Sequence, residues 1–435
     1  MAEVFDTVHL HSWQRVNHFR NQRELCRKDL MVKNLKRFKR ELQKEGLVEE
    51  ADAYSFWPLT YVLPGDYALF VEEFKRNPAS LWIMKPVGRS QGKGIFLFQH
   101  LRQINKWKSD SRYGAKAGTA KAEGGKEEKD AETYVVQRYI ANPYLISGRK
   151  FDIRMYALVT SYQPLVCWIH RAGFCRFSGV RYSSAASTIG DSGMHLTNVA
   201  VQKKENQNNA GQRGTREKGG GDDGGGGGSG GSENDFGGKW LLRDLKLYLM
   251  SRYGTALVDK LFLSIQQTVT RCLLSVQSVM MNDKHCFELY GFDVLFDDGF
   301  KVYVIEVNAS PSMSGSTEED STLKEELLSS AFDVVDLEGR LHGDEVRVGG
   351  FDLVHKGGPV PTKEGGTGTY GTMLGCDVPK DVTVERSAER CAAAMEGAGG
   401  GAAGGKKGEG RGGDGGGKGQ PPPHRPMRGG GGTKK

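Results

Sequence analysis

Two carboxylate side chains and one amide side chain lie close together in the sequence near residue 300. Residues 288–312 are predicted to form two β-strands joined by an Asp-Asp-Gly turn, with Asp293 on the first strand and Glu306 and Asn308 on the second. Hairpin pairing can bring Asp293 close to the other two side chains. Three oxygen donors on one face of a sheet suit Mg²⁺, which binds one or two carboxylates and leaves room for phosphate oxygens. The alternative is a hairpin edge with solvated acids.

Alternation along the second strand predicts which side chains would face such an ion. Side chains two residues apart on a strand share a face, so Glu306 and Asn308 should point the same way. Ile305 and Val307 should then pack behind them.

A glycine-rich turn follows an apolar strand that ends in lysine. Lys85 lies near the end of the predicted strand at 81–86, and Lys93 lies within the turn. The glycines of the turn are Gly88, Gly92 and Gly94. Glycine lets backbone amides approach phosphate oxygens closely, and either lysine could supply a positive charge. The GxxxxGK[ST] pattern is absent, and a glycine-rich hairpin with a surface lysine is the alternative.

Another predicted strand carries a line of alternating charges. Lys150, Asp152 and Arg154 alternate with apolar residues at 148–162, so all three charges would share one face. Burying such a line is costly unless a polar group fills the space beside it. Phosphates, ribose hydroxyls or a substrate carboxylate would do so. The alternative is a salt-bridged face exposed to solvent.

Four polar residues further along are weaker candidates on their own. Arg176 follows an aromatic-rich strand and could bind a carboxylate through two parallel hydrogen bonds. His195 is expected to be a structural histidine with satisfied nitrogens rather than a base. Thr197 and Asn198 could hydrogen-bond a ligand or cap a turn.

The elements that must position these residues form a mixed pattern. Helices are predicted at 21–45, after Asp66, in two segments between 239 and 280, and at 323–335. Strands are predicted at 81–86, 133–140, 148–162, 165–178 and 195–202. Because helices and strands mix without regular βαβ alternation, the sequence predicts an α+β fold with antiparallel sheets.

Low-complexity tracts divide the chain. Residues 110–132 are predicted to be a mobile loop, 203–238 a flexible glycine-rich insertion, and 356–435 a Gly/Pro-rich, largely disordered tail. The remaining sequence divides into a basic N-terminal segment with a partial domain at 1–80, a central domain at 81–140 and a C-terminal domain at 141–355.

Composition narrows the class of protein. The 435-residue chain has no run of 18 apolar residues and no secretory signal, so neither a membrane span nor a membrane partner is expected. Its seven cysteines are scattered and form no CxxC pair, which favours a reduced cytosolic protein over a disulfide scaffold or a zinc site.

Positive charge is concentrated near the N-terminus. The net charge is +7, and the segment from Trp13 to Lys44 holds 11 Lys and Arg against three acids. Such a segment suits an acidic partner, and an ordinary solvated helix face is the alternative. Because no RNA-binding signature accompanies it, no nucleic acid partner is expected.

The lysine and glycine loop, the polar strand face and the late Asp…Glu-x-Asn set together compose one ATP–Mg²⁺ site. Their order and spacing resemble the ATP-grasp ligases, and specifically the tubulin tyrosine ligase-like family. The resemblance is carried by IMKPVGRSQGKGIF, VVQRYIANPYLISGRKFDIRMY, HLTNVAVQ, KHCFELYGFDVL and IEVNASPS, within residues 14–355. KDLMVKNLKRF, FVEEFKRNP and RVGGFDL are most similar to the ninth-member branch, which consists of ciliary polyglutamylases.

The resemblance implies roles for the nucleotide-site residues. Lys85 and Arg154 would be catalytic, with Lys85 on the phosphates and Arg154 stabilising the phosphate in transfer. The other ATP-binding residues would be Gln91, Gly92, Gln137, Arg138, Tyr139, Ile140, Lys150, Asp152, Thr197 and Asn198. Mg²⁺ would be held by Asp293, Glu306 and Asn308. The amino-acid substrate would be held by Arg176, Asn198, Lys239 and Lys324.

The implied activity is ATP-dependent tubulin polyglutamylation. ATP would phosphorylate a glutamate carboxylate of an acidic tubulin tail, and free L-glutamate would then form an isopeptide bond. This chemistry needs positioning and charge neutralisation more than a dedicated base. The implied location is the cytoplasm and cytoskeleton, in a ciliary or flagellar axoneme or basal body, and an accessory ciliary subunit is a further implied partner.

Three alternatives stay open at this point. A ligase of glycine or tyrosine could use the same fold, although Lys324 and the overall resemblance favour glutamate. A microtubule-binding scaffold with a vestigial ATP site is disfavoured by the intact Lys85 and metal-ligand set. A small-molecule carboxylate–amine ligase is disfavoured by the basic segment. About 15 residues precede the RVNHFRN block, fewer than is usual in the family, so the N-terminal domain is expected to be incomplete.

Overall fold

The structure, a computed structural model, describes residues 2–89, 92–104, 133–198, 201–202, 239–361, 371–378 and 384–387. The predicted loop at 110–132, the predicted insertion at 203–238, Gln91 and most of the predicted tail lie outside the described residues. Within the described ranges, no helix is both long enough and apolar enough to span a bilayer. The six cysteines in these ranges are free thiols.

The helices of the described residues lie between residues 2 and 335. They are α1 (Ala2–Thr7), α2 (Arg23–Cys26), α3 (Lys28–Lys44), α4 (Val48–Ala53), α5 (Tyr67–Arg76), α6 (Ser192–His195), α7 (Leu242–Tyr253), α8 (Thr255–Gln277) and α9 (Glu318–Val335). Short 3₁₀ turns lie at Tyr54–Phe56, Leu101–Ile104 and Ala186–Thr188.

A four-stranded antiparallel sheet forms the smaller layer. Its strands are β1 (Thr60–Leu63), β2 (Trp82–Pro86), β3 (Phe96–Phe98) and β4 (Tyr134–Arg138), in the order β1-β4-β2-β3. One face packs on α5 through Trp82, Phe70 and Phe98. The predicted division at residue 80 separates β1 from β4, although these two strands pair.

The larger sheet has ten strands built around the long strand β6. The strands are β5 (Leu145–Ile146), β6 (Arg149–Tyr162), β7 (Leu165–His170), β8 (Phe174–Phe177), β9 (Lys239–Leu241), β10 (Glu288–Phe296), β11 (Val302–Asn308), β12 (Glu345–Val348), β13 (Phe351–Lys356) and β14 (Val384–Arg386). The main path runs β11-β10-β6-β7-β13-β12-β14, with β5 and β8 on β6 and β9 on β8. All of these pairings are antiparallel, which confirms the predicted α+β class.

Alternating residues of β6 contribute to two cores. Ile153, Met155 and Ala157 pack in the core that also contains residues of α3, α7 and α8. Tyr156 and Leu158 pack on the opposite face, in the core formed with α9. Helices therefore cover both faces of the sheet along most of this strand, and its charged end is left to face the smaller sheet.

Several predicted elements differ from the structure. The strand predicted at 165–178 is divided into β7 and β8, and the helix predicted at 323–335 begins at Glu318. Two other differences have identifiable local reasons. The predicted helix at 21–45 is divided into α2 and α3, because Arg27 adopts an extended conformation with ψ of 125°. The predicted strand at 195–202 is wrong. The Asp191 carboxylate accepts a hydrogen bond from Met194 N at 3.2 Å and caps the helical turn α6, and residues 196–198 follow it without regular structure.

The region after residue 340 contributes more structure than the sequence predicts. Strands β12 and β13 complete the large sheet, and β14 pairs with β12. Leu374 is buried in the same core as α8. Part of the predicted tail therefore packs on the folded body.

Candidate active site

A cleft between the two sheets gathers most of the predicted site residues. Its lining from the small sheet includes Ile83, Lys85 and Gln137, and from the large sheet Lys150, Asp152, Asp293 and Glu306. The other lining residues are Ile95, Arg138, Tyr139, Ile140, Arg176, His195, Leu196, Thr197, Asn198, Leu295 and Ile305. Ile83 was missed from the sequence, although it shares a strand face with Lys85 and alternation could have identified it.

Lys85 is a buried cation on the small-sheet wall. Its Nζ donates to Gln137 Oε1 at 2.8 Å, and Gln137 Nε2 donates to Thr60 Oγ1 at 3.0 Å. Burial, reinforced by the charge of Lys28 and opposed by Glu306, lowers the pKa of Lys85 to about 8. An ammonium group beside a neutral amide in a buried site is suited to receive an anionic ligand.

Lys150 faces Lys85 from the large sheet. Its Nζ donates to Tyr139 OH at 3.0 Å and to the His195 carbonyl oxygen at 2.9 Å. Burial lowers the pKa of Lys150 to about 7, with Asp152 opposing and Lys85 assisting the shift. His195 is satisfied at both nitrogens, by Tyr139 OH and by a backbone carbonyl oxygen, each at 3.0 Å, as the sequence predicts.

Two aspartates and two arginines beside these lysines are connected in a row by ion pairs. Arg176 binds both carboxylate oxygens of Asp152, and its Nη2 lies 2.8 Å from Asp293 Oδ2. Arg154 binds both oxygens of Asp293, at 2.5 and 3.1 Å. Strand register brings them together, since Asp152 lies opposite Arg176 and Arg154 lies opposite Asp293. All four side chains are buried, so the solvent-exposed alternative for this strand face is wrong.

The ion pairs fix the charge of Asp293. Burial would raise the pKa of Asp293, but Arg154 and Arg176 more than offset it and hold that pKa well below its usual range. Asp293 is therefore ionised at every physiological pH.

A β-bulge in the hairpin β10–β11 places Glu306 opposite Asp293. Val294 pairs with Val304 and Asp293 pairs with Glu306, which leaves Ile305 as an extra residue. Val307 is buried as predicted. The prediction that Ile305 packs behind the polar residues is wrong, because the bulge turns it into the cleft beside Glu306.

The donor set at this hairpin fits Mg²⁺ in its chemistry. Asp293 and Glu306 contribute carboxylates, and Asn308 Nδ2 lies 3.5 Å from Glu306 Oε1, so the amide is adjacent. Hard oxygen donors with few carboxylates are what Mg²⁺ prefers. Within the described ranges, no group of three or more His, Cys, Asp or Glu side chains is arranged for a metal, so this candidate site depends on two carboxylates and one amide.

Lys28 forms an ion pair with the cleft residue Glu306, and the sequence did not identify it. It is the first residue of α3, and its Nζ lies 3.4 Å from Glu306 Oε2. No local pattern marks it, because only tertiary packing brings residue 28 to residue 306. The N-terminal segment thus supplies a cation to the cleft.

The basic segment from Trp13 to Lys44 is less free than the sequence predicts. Six of its eleven Lys and Arg side chains form ion pairs with acids in the described residues, namely Arg20, Arg27, Lys28, Lys36, Arg37 and Lys39. Most of these pairs are partly exposed, where an ion pair contributes about 0–1 kcal/mol and can exchange partners.

Lys239 and Lys324, the predicted amino-acid ligands, meet at a third residue. Lys239 Nζ donates to Asp320 Oδ2 at 2.6 Å, and Lys324 Nζ donates to the same oxygen at 2.9 Å. Lys239 lies opposite Arg176 on β8, so both project from the same face of the sheet. Asp320 was missed because the acids at the start of α9 look like ordinary helix N-terminal residues.

Gly92 and Asn198 are in close contact across the cleft mouth. Gly92 has φ of +74°, and a Cβ placed there would lie 2.6 Å from Asn198 Nδ2. Only glycine therefore permits both the backbone conformation and the approach. Its predicted neighbour in phosphate binding, Gln91, lies outside the described residues.

The predicted adenine segment, Gln137 to Ile140, lies along the cleft wall. The Arg138 guanidinium is engaged elsewhere, since its Nη2 donates to Glu73 Oε1 at 2.6 Å and the group lies 5.6 Å from the Trp82 ring. Tyr139 N donates to the Leu81 carbonyl oxygen at 2.9 Å.

The sequence of this chain is similar to those of proteins named as tubulin polyglutamylases. The probable tubulin polyglutamylase TTLL9 of Bos taurus is 44% identical over 401 residues, covering 86% of this chain and 81% of the relative. The probable tubulin polyglutamylase ttll-9 of Caenorhabditis elegans is 40% identical over 357 residues, covering 82% and 76%. The probable alpha-tubulin polyglutamylase Ttll1 of Tetrahymena thermophila is 43% identical over 335 residues, covering 75% and 73%.

The family model covers most of the folded chain. The model of the tubulin-tyrosine ligase family matches residues 7–221 and 228–341. These ranges include every candidate site residue, from Lys85 to Lys324. The resemblance inferred from the sequence motifs is confirmed, and the chain belongs to the tubulin-tyrosine ligase family.

Proposed function

We propose that this chain is an ATP-dependent tubulin polyglutamylase that adds L-glutamate to glutamate side chains in acidic tubulin tails. The observation that carries the proposal is the cleft in which buried Lys85 and Lys150 face the acids of the β10–β11 hairpin. The names of the three relatives described above, each a probable tubulin polyglutamylase, support the choice of reaction.

The reaction has two covalent steps. The γ-phosphoryl group of ATP passes to a carboxylate oxygen of the tubulin glutamate, and ADP leaves. The amine of free glutamate then attacks the acyl carbon, phosphate leaves, the amine loses its proton to solvent, and an isopeptide bond remains. Neither step needs a strong base in the protein, which suits a cleft rich in Lys and Arg.

The chain's own residues orient ATP and neutralise the charge of its phosphates. Lys85 and Lys150 bind the polyphosphate from opposite walls, with Gly92 giving backbone access and Thr197 and Asn198 closing the site. Gln137 to Ile140 hold the adenine. Arg154 faces the phosphate in transfer. Asp293, Glu306 and Asn308 would hold Mg²⁺, which when bound neutralises phosphate charge.

The amino-acid site adjoins the nucleotide site through Arg176. Arg176 binds the α-carboxylate of the incoming glutamate, while Lys239 and Lys324 bind its side chain. Arg176 touches Asp152 and Asp293 on one side and lies opposite Lys239 on the other. The attacking amine is thereby placed near the acyl phosphate.

Partners and location extend the proposal. The basic N-terminal segment, with its exchangeable surface pairs, is suited to acidic tubulin tails. We place the activity on ciliary or flagellar axonemes or basal bodies in the cytoplasm, with an accessory ciliary subunit as a further partner. Whether the chain copurifies with axonemes from ciliated cells tests this placement.

The test of the activity compares amino acids directly. The chain is incubated with tubulin, Mg-ATP and labelled glutamate, glycine or tyrosine in parallel. Glutamate incorporation is expected, and Glu306→Gln should abolish it, whereas Glu326→Gln, on the exposed face of α9, should not. Incorporation of glycine alone would overturn the proposal in favour of a glycine ligase. Microtubule binding without any incorporation would favour a scaffold.

A further inference from the structure

We propose that Asp320 is a positioning residue of the amino-acid site, holding Lys239 and Lys324 as one paired cation for the side-chain carboxylate of the incoming glutamate. This inference rests on the proposed function and names a residue that makes the site selective. Asp320 itself does not touch the reacting atoms.

The geometry concentrates several donors on one oxygen. Asp320 Oδ2 accepts from Lys239 Nζ at 2.6 Å and from Lys324 Nζ at 2.9 Å. It also accepts from the backbone N and the hydroxyl of Ser316, at 2.9 and 3.1 Å. Because both ammonium groups contact one atom, these distances bound the separation of their nitrogens at 5.5 Å. A pair this close can share one carboxylate.

Surrounding contacts fix the pair on the side of the sheet that carries the cleft. The ring of Phe174 lies 4.5 Å from Lys239 Nζ and 6.0 Å from Lys324 Nζ, so both cations lie near one aromatic face. Phe174 is two residues before Arg176 on β8, and Lys239 is opposite Arg176 on β9. The pair therefore lies beside the arginine proposed to hold the α-carboxylate.

The local charge balance explains why this pair would select glutamate. The two aspartates and two arginines of the adjacent ion-pair set cancel. Asp320 cancels only one of the two lysines, which leaves one net positive charge at this position. One additional carboxylate completes the balance, and glutamate carries it whereas glycine and tyrosine do not.

Asp320 is suited to hold charge rather than to move a proton. Burial would raise the pKa of Asp320, but hydrogen bonds from Lys239, Lys324 and Ser316 N lower it to about 2. The carboxylate stays ionised throughout the working pH range and is a poor proton acceptor. Its effect is exerted through the lysines.

The decisive variant is Asp320→Asn, which keeps the shape of the side chain but removes its charge. Without the shared carboxylate, the two ammonium groups repel each other and separate. We expect the KM for glutamate to rise at least tenfold while the KM for ATP changes less than twofold. Glu326→Gln, on the exposed face of the same helix, is the matched control and should change neither value.

A binding measurement separates this inference from the proposed function. Calorimetric titration of glutamate into the chain with a non-hydrolysable ATP analogue reads out the site without turnover, and a thermal melt checks folding. Wild type that binds glutamate but transfers none to tubulin would refute the proposed function alone. Equal glutamate affinity in wild type and Asp320→Asn, or parallel rises in both KM values with a lower Tm, would overturn the role of Asp320.

Discussion

Binding of Mg-ATP should draw protons from solution, because two cleft lysines are partly deprotonated in the free protein. Burial lowers the pKa of Lys150 to about 7 and that of Lys85 to about 8. A polyphosphate placed between them stabilises the ammonium form of each and raises both pKa values. The sign is therefore uptake, and it should grow as the pH rises from 6 to 8.

The magnitude follows from the two pKa values. At pH 7 Lys150 is about half deprotonated and Lys85 about one tenth, so each nucleotide bound should take up about 0.6 proton. At pH 8 the fractions rise to about 0.9 and about 0.5, which gives about 1.4 protons. At pH 6 the uptake falls to about 0.1 proton.

Isothermal titration calorimetry measures this uptake. The binding enthalpy is determined at one pH in buffers with different ionisation enthalpies, and its slope against buffer enthalpy gives the proton number. Lys150→Met should reduce the uptake at pH 7 to about 0.1, and Lys85→Met should leave about 0.5. Lys75→Met, at an exposed position on α5, is the control and should change nothing.

A binding enthalpy at pH 8 that is independent of the buffer would refute this reasoning. So would proton release, since it would mean that both lysines are fully protonated before the nucleotide binds. An uptake that persists unchanged in Lys150→Met would locate the titration elsewhere.

Three further predictions concern stability, backbone and charge. Asp293→Asn should lower the free energy of unfolding by about 3 kcal/mol at pH 7, and by less below pH ~4, where the wild-type carboxylate approaches its low folded pKa. Asp352→Asn, at a buried ion pair away from the cleft, should also destabilise the protein but leave the KM for ATP unchanged. Urea titrations measure the stability and kinetics the KM, and equal KM changes in the two variants would contradict the prediction. Gly92→Ala should raise the KM for ATP because its Cβ would meet Asn198, while Gly46→Ala, also at positive φ but in open space, should not. Raising salt should weaken tubulin modification more than ATP binding, as surface charges are screened; equal sensitivity would count against the basic segment as the tubulin contact.

Local sequence patterns predicted the elements that depend only on residues close together in the sequence. The alternation around Asp152 identified β6, and the turn after Asp293 identified the hairpin, because each depends on neighbouring residues. Lys28 and Asp320 could not be found this way. Lys28 reaches Glu306 only through the packing of α3, and Asp320 looks like any acid in a first helical turn.

Ion pairing also changes how the charge of the basic N-terminal segment is interpreted. The segment from Trp13 to Lys44 looks like an open basic patch in the sequence, yet six of its eleven cations are paired, two with acids of the segment itself and four with acids outside it. Asp52 and Asp66 come from α4 and from the turn before α5. Charge in a sequence indicates where an acidic partner could bind, while the fold decides how much of it is already satisfied.

The bulge at Ile305 decides which side chains of β11 lie on the cleft side of the hairpin. If the ladder continued regularly from Val304 opposite Val294, Ile305 would face Asp293 and Glu306 would lie opposite Phe292, on the core side. The placement of one extra residue therefore decides whether an acid or an aliphatic side chain lies opposite Asp293. Deleting Ile305 would remove the bulge and still leave Glu306 opposite Asp293, whereas closing the bulge with Ile305 retained would turn the carboxylate toward the core.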